Sequence, residues 1–354
     1  MNNQSQILTH SNSLNDDVSL RQILEDLPEF APLDALLCEA SYYGASSEIS
    51  RQLGLPHEQA LFGNWEHGWK AKIISMPPEV GNYTDKDSLC LVGSKNSAEV
   101  LRDNGFLNVH EVGLPYLYAP DPKVGRIPKS LLVCPAHTST FSKADWSAFA
   151  QQYAEKIAEL RDDFATVLVC LSSNCIERGQ WIKEFEAQGI PWIMGASIHD
   201  RNALRRMRAL FAHFEYMTTN HMGSHVVYAS YEGCKPSIYN WQSIYTKDDL
   251  QTEPLYQKHP EVLANKSLNN RDFFHSKYPE LFCDHPQNAE NRKDWAAEQM
   301  GEHFRRPLSE IAELLVWDVP AKKEKPKRKG FRKYAERFKR IFASRQTSSP
   351  CPQN

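Results

Sequence analysis

The sequence contains no uninterrupted apolar run of about twenty residues, so no segment is expected to cross a membrane as a helix. Its opening stretch, MNNQSQILTHSNSLNDD, is polar and lacks the charged-then-apolar build of an export leader. None of its eight cysteines belongs to a CxxC pair, which argues against a zinc site of the usual spacing. Cys134 and Cys170 instead close the apolar runs Leu131-Leu132-Val133 and Val167-Leu168-Val169, so the cysteines read as buried thiols in a reducing compartment. Neither glycine-rich phosphate-loop pattern occurs, and no internal repeat is visible. The expected location is cytoplasmic.

What is present is an ordinary globular composition, 41% hydrophobic and 24% charged, over 354 residues. That length suits about two domains of roughly 150 residues, each able to bury its own core. The net charge of −3 conceals an asymmetry: residues 322–345 hold twelve Lys or Arg against two Glu, a surplus of +10, which leaves −13 on the remainder. An acidic body with a strongly basic tail points to an anionic partner for the tail alone.

Residues 1–17 read as a disordered lead, and 18–127 as a first α/β lobe. That lobe has helical spacing over 20–27 and 31–53, the run Gly63-Asn64-Trp65-Glu66-His67-Gly68-Trp69, a strand at 88–93, a helix at 97–104 stopped by Gly105, and a strand at 109–112. The prolines of 120–128 mark a linker. A second lobe, 128–250, then alternates strands (131–134, 166–171, 191–194, 216–220, 236–239) with helices (143–160, 178–188, 202–213, 223–231). Such alternation predicts an α/β fold of two Rossmann-like lobes with parallel sheets. Residues 251–320 read as a helical closing segment with the apolar stripe Leu308, Ile311, Leu314 and Leu315.

In an open parallel sheet, ligands meet the C-terminal ends of the strands, where loop amides and helix N-termini converge. Here those ends carry His137-Thr138-Ser139, Ser172-Ser173-Asn174, Gly195-Ala196-Ser197 and Thr219-Asn220-His221-Met222-Gly223-Ser224-His225. Hydroxyls, amides and imidazoles with few carboxylates suit a phosphorylated anion. In the last run Gly223 permits close backbone approach, Ser224 can donate to a phosphate oxygen and His225 adds a second donor. The same run also reads as an ordinary helix cap beside two incidental histidines. His221 and His225 have metal-ligand spacing, but no Glu follows His221, and no metal is expected. Arg201, Arg205 and Arg206 read as a solvated helix face.

The run from Asn220 to Ala229, followed by Gly233-Cys234-Lys235-Pro236-Ser237-Ile238-Tyr239, resembles the donor-binding stretch of GT-B glycosyltransferases and the related UDP-sugar 2-epimerases. The earlier stretch from Leu91-Val92-Gly93-Ser94 to Gly113-Leu114-Pro115-Tyr116 is similar to the end of the first lobe in members that build bacterial surface polysaccharide, capsule or lipopolysaccharide. The resemblance implies a GT-B-like pair of lobes. It also implies a nucleotide-sugar held by His137, Thr138, Ser139, Ser173, Asn220, Gly223, Ser224 and His225. A donor substrate of this kind needs no separate cofactor. Many members carry a ribose-binding Glu about seven residues before that proline; this chain has none there, and Glu232 is the nearest carboxylate.

An inverting member also needs a general base, for which His67 beside Gly68 is the candidate; the same histidine reads equally as a buried ring packed by Trp65 and Trp69. Within the tail (321–354), Phe331, Tyr334, Ala335, Phe338, Ile341 and Phe342 recur at three- and four-residue intervals between Lys and Arg. That makes an amphipathic basic helix, and residues 330–345 are expected on an anionic membrane surface at the inner face of the cell membrane. No basic patch or aromatic ladder recurs in the body, so nucleic acid is not an expected partner.

The activity expected is sugar transfer from a nucleotide-sugar to a growing polysaccharide or lipid-linked glycan. A sugar-nucleotide 2-epimerase or hydrolase, or a non-catalytic scaffold of a polysaccharide assembly complex, remain the alternatives.

Overall fold

The computed structural model describes residues 18–33, 39–55, 59, 63–81, 85–136, 146–242, 251, 254–266 and 270–319. It is an α/β protein with two parallel sheets. The smaller has the order β1-β2-β3, from β1 (Asn64–Trp65), β2 (Leu89–Val92) and β3 (Asn108–Glu111). The larger contains β4 (Ile127–Val133), β5 (Thr166–Leu171), β6 (Trp192–Met194), β7 (Phe214–Thr219) and β8 (Lys235–Ile238). Its order is β6-β5-β4-β7-β8, and every described pairing is parallel. The chain therefore runs outward from β4 to one edge, returns, and runs outward from β7 to the other, so the order reverses between β4 and β7.

Apolar runs without alternation specify strands covered on both faces, and β5 (TVLVCL) is buried along its whole length. Its side chains divide by the period of two. Val167, Val169 and Leu171 pack with Leu131 and Val133 beneath α5 (Trp146–Glu159) and α7 (Ile182–Ala187). Leu168 and Cys170 face the other way, with Leu132, Ile193 and Met217. This second layer also receives Trp65, Leu89 and Leu91 from the smaller sheet, so the inner faces of the two sheets share one core. The outer face of the smaller sheet packs Cys90 and Val92 against Ala98 and Leu101 of α4 (Lys95–Asp103). Cys90, Cys134, Cys170, Cys175 and Cys234 are buried thiols.

The segment expected as a linker, 120–128, is irregular up to β4. Asp121 is tied to Arg208 at 2.8 Å, and Arg126 donates to the carbonyls of Phe214 and Glu232. The helices after β8 span Pro254–Lys258, Pro260–Lys266, Arg271–Lys277, Lys293–Gln299 and Leu308–Leu314. Ile311 of the last of these and Leu315 just beyond it are buried.

Three sequence expectations need correction. The helix expected over 178–188 is shortened to α7, and a separate short helix, α6 (Ser173–Glu177), precedes it, because Gly179 and Trp181 take positive φ between them. Of the helix expected over 31–53, the described residues form a 3-10 turn, Glu39–Gly44, and α2 (Ala45–Gln52), which meet where Tyr43 and Gly44 adopt φ values of 59° and 75°. The arginines of α8 (Ala203–His213) are not a solvated face: Arg206 is buried, with Nε donating to the Met194 carbonyl (3.1 Å) and a terminal nitrogen to that of Pro28 (2.8 Å). Arg205 pairs with the buried Glu48.

The expected disordered lead and the amphipathic basic helix of the tail lie outside the described residues. Among those described, no helix is long and apolar enough to cross a membrane.

Candidate functional site

The strand order reverses between β4 and β7, and the run after β7 lies at the C-terminal ends of these strands, where a parallel sheet of this kind receives its ligand. Asn220 sits where the two strands part. Its Oδ1 accepts from the Ala136 amide after β4 (2.9 Å) and its Nδ2 donates to Gln242 (2.8 Å), which in turn donates to the Phe149 carbonyl (3.0 Å). Fully buried, Asn220 engages both ends of its amide and ties the two strand ends together.

Next along the chain, Thr219 Oγ1 donates to the His221 carbonyl (3.1 Å) and accepts from the His221 amide (3.3 Å). That hydroxyl has spent its proton, so the 2.9 Å contact with His225 Nε2 is a donation from the ring. The neutral ring then keeps Nδ1 as an acceptor, and it lies over Gly223, where a β-carbon would come within 3.0 Å of it. As a phosphate donor through Nδ1, His225 must be protonated. His221 stacks on Trp241 with ring centroids 4.6 Å apart.

The helix α9 (Ser224–Tyr231) starts directly after its N-cap Gly223, and among the described residues no side chain caps it. Its first turn meets the segment that follows β1. Ser224 Oγ stands 3.5 Å from the Trp69 carbonyl, and a β-carbon at Gly68 would lie 3.2 Å from that same hydroxyl. One turn on, the Tyr228 hydroxyl donates to the His67 carbonyl (3.2 Å), while its ring stacks on Tyr116 at 4.1 Å. The fold thus brings His67 and Ser224, which are 157 positions apart in the sequence, to one seam between the sheets.

His67 is half-buried beside Tyr42 and Tyr43, with ring centroids at 5.3 and 5.9 Å. Burial, seconded by the charge of Lys70, holds its imidazole down at about 4, so the ring is neutral at neutral pH. Tyr43 occupies the left-handed region that a bulky residue rarely adopts, and such backbone strain concentrates at functional sites.

Beside His67 lies a residue that sequence reasoning missed. The buried Glu66 carboxylate accepts from the Gly93 amide (2.9 Å) and from the Ser97 hydroxyl (3.2 Å). Burial pushes its pKa up; Lys70 and the two hydrogen bonds pull against that shift. Glu66 therefore seats a carboxylate at the start of α4, which Ser94 also caps by accepting from the Ser97 amide (3.1 Å). Its one sequence signal was an acidic residue enclosed in an aromatic and glycine run.

The other expected donor residues are more scattered. Ser173 opens α6 at the C-terminal end of β5, half-buried, on a helix that Ser172 caps by accepting from the Cys175 amide (3.3 Å). Glu232 lies at the far end of α9, paired with Arg208 at 2.6 Å, and is not brought together with Ser224. His137, Thr138 and Ser139 lie outside the described residues. Among the described residues no group of three or more His, Cys, Asp or Glu is arranged to hold a metal ion.

No protein-family model matches the chain, and no curated protein matches it at a significant level.

Proposed function

We propose that the chain is a GT-B-like glycosyltransferase that moves a sugar from a nucleotide-activated donor to a growing cell-surface polysaccharide or lipid-linked glycan. The observation that carries this reading is the uncapped start of α9, at the point where the sheet order reverses and facing the loop that carries His67. A helix N-terminus with a hydroxyl in its first turn receives a diphosphate well; Gly223, Ser224 and His225 are half-buried there, and the glycine admits a ligand closely.

In the reaction, the acceptor oxygen bonds to the anomeric carbon as that carbon's bond to the phosphate oxygen breaks. The electron pair leaves with the nucleotide, whose new charge falls on the amides of α9 and on Ser224, with His225 contributing when protonated. His67 takes the proton from the acceptor hydroxyl. An imidazole held down at about 4 is a weak base in the free protein, and the negative charge of a bound diphosphate raises it toward the useful range. The tail, residues 330–345, holds the enzyme at an anionic membrane surface near its acceptor.

A thermal-shift panel of UDP, GDP, CMP, ADP and TDP tests the donor site, since a ligand that binds only the folded state raises its melting temperature. One of the five is expected to do so at about millimolar concentration. If none does, the reading fails. Co-sedimentation with anionic vesicles at low salt tests the tail: the full chain is expected to pellet and a chain lacking 322–354 to stay in solution.

A further inference from the structure

A cavity lies at the opposite end of α9 from Ser224, roughly 12 Å along the helix axis. Its volume is about 490 Å³, and it is bounded by the 121–126 crossing, α8, the end of α9 and the segment 293–305. Four cations line it, Arg126, Arg208, Lys293 and Arg305, together with three carboxylates, Asp121, Glu232 and Glu302.

Only one of the four cations is neutralised by those carboxylates. Arg208 is buried and donates to Glu232 at 2.6 Å, to Asp121 at 2.8 Å and to the Ala119 carbonyl. Arg126 spends its guanidinium on two backbone carbonyls, which leaves its charge uncompensated. Lys293 stands 5.8 Å over the Tyr231 ring, and Arg305 stands 5.6 Å over Tyr118. Among the described residues, none of these three forms an ion pair. Arg126 is far from Lys293 and Arg305 in the sequence, yet all three line this cavity, while Gly233 leaves space beside Arg126, whose Nη2 would stand 3.2 Å from a β-carbon there.

The carboxylates are placed for a different task. Glu302 already accepts from the Tyr231 hydroxyl at 2.6 Å, which fixes it, and the Asp121 side chain is 93% exposed. Carboxylates beside cations that have no ion-pair partner among the described residues suit a ligand that carries hydroxyls as well as a phosphate. The volume falls within the range of small-molecule sites, but the charged lining excludes an apolar guest.

We propose that this cavity binds a phosphorylated sugar, its phosphate held by Arg126, Lys293 and Arg305 and its hydroxyls by Asp121 and Glu302. The site is separate from the α9 N-terminus and stands whether or not a nucleotide binds there.

Isothermal titration of the full chain with glucose 1-phosphate as the probe tests it. The expected result is one-to-one binding, tighter than about 1 mM and weakened by added salt. Lys293 and Arg305 are both exposed, so the double variant Lys293→Glu with Arg305→Glu is expected to keep the wild-type melting temperature. Its affinity should fall at least tenfold, while Ser224→Ala should bind the probe as tightly as wild type. Absence of binding by the wild-type chain overturns the proposal. So does a double variant that binds unchanged, and so does loss of binding in Ser224→Ala alone, which would put the probe at the α9 N-terminus.

Discussion

The starts of α4 and α9 differ in one respect that bears on function. Both helices follow a strand of a parallel sheet and both open on a small-residue turn, Gly93-Ser94 and Gly223-Ser224. At α4 the protein has supplied its own anion: Glu66 takes the Gly93 amide and the Ser97 hydroxyl, and Ser94 takes the Ser97 amide. At α9 the N-cap is Gly223, which has no side chain, and among the described residues no other side chain does this. Two equivalent positions in one architecture are thus treated oppositely, one closed from within and one left for something else. The closed end belongs to the smaller sheet and is part of its core; the open end stands at the strand-order reversal of the larger one.

Removal of the internal anion should break this contrast most visibly. Glu66→Ala leaves the Gly93 amide and the Ser97 hydroxyl without their acceptor in a buried place, and it opens a cavity. A loss of about 3 kcal/mol in a urea titration is expected. Glu66→Gln keeps an acceptor oxygen and should recover most of it. If Glu66→Ala unfolds at the wild-type urea concentration, the carboxylate is not what closes α4.

The neighbouring imidazole gives the next effect, through pH. His67 is held at about 4 in the folded chain, against 6.5 for the free side chain. Above 6.5 both folded and unfolded states carry it neutral, and pH has no effect through this group. Between 6.5 and 4 the unfolded chain binds the proton and the folded one does not, so stability falls as the pH falls. The loss is at most about 3 kcal/mol, reduced by the residue's partial exposure. Burial also lowers His110 and His213, which adds to the slope in the same direction. His67→Phe should flatten the profile over that window; an unchanged slope would mean that His67 titrates normally.

Catalysis separates the two sides of the seam. His67→Ala should lower turnover by roughly a hundredfold or more with nucleotide affinity nearly unchanged, as for removal of a general base. The acid limb of kcat/KM for the wild type should lie near 4, because the base must be unprotonated and activity is lost as pH falls through its pKa. Full activity in the variant would return His67 to a packing role.

How much of this was legible in the sequence depends on how local each cause is. The strands of the larger sheet were readable because runs such as TVLVCL state their own burial. Burial of Arg206 was not, since its acceptors are carbonyls 12 and 178 positions away. Glu66 was passed over for His67 because β1 has only two residues, too few to show which side chain turns inward. The break between α6 and α7 was signalled by Gly179, but the helical spacing around it was followed instead. At the strand-order reversal, composition indicated polar residues at strand ends. It could not show that Asn220 is consumed by Ala136 and Gln242 while α9 is left uncapped, because those partners are set by the strand order.

The smallest effect tests the open end itself. Ser224→Ala removes one hydroxyl whose contact with the Trp69 carbonyl is long, 3.5 Å, and which also meets the Tyr228 hydroxyl, so folding should be little affected by it. A phosphate would gain more from that hydroxyl than the Trp69 carbonyl does, since hydrogen bonds to charged groups exceed those between neutral ones. The expected loss is therefore about 1 to 2 kcal/mol in nucleotide affinity, or roughly five- to thirtyfold, read by calorimetry with whichever nucleotide raises the melting temperature. The companion change Ser97→Ala, at the closed end, removes a hydroxyl of similar position that Glu66 already occupies. It should cost stability and leave nucleotide affinity alone. Should the two substitutions exchange these effects, with Ser97→Ala weakening the nucleotide and Ser224→Ala only the fold, the ligand end of the molecule would be α4, and the contrast between the helices would have to be reversed.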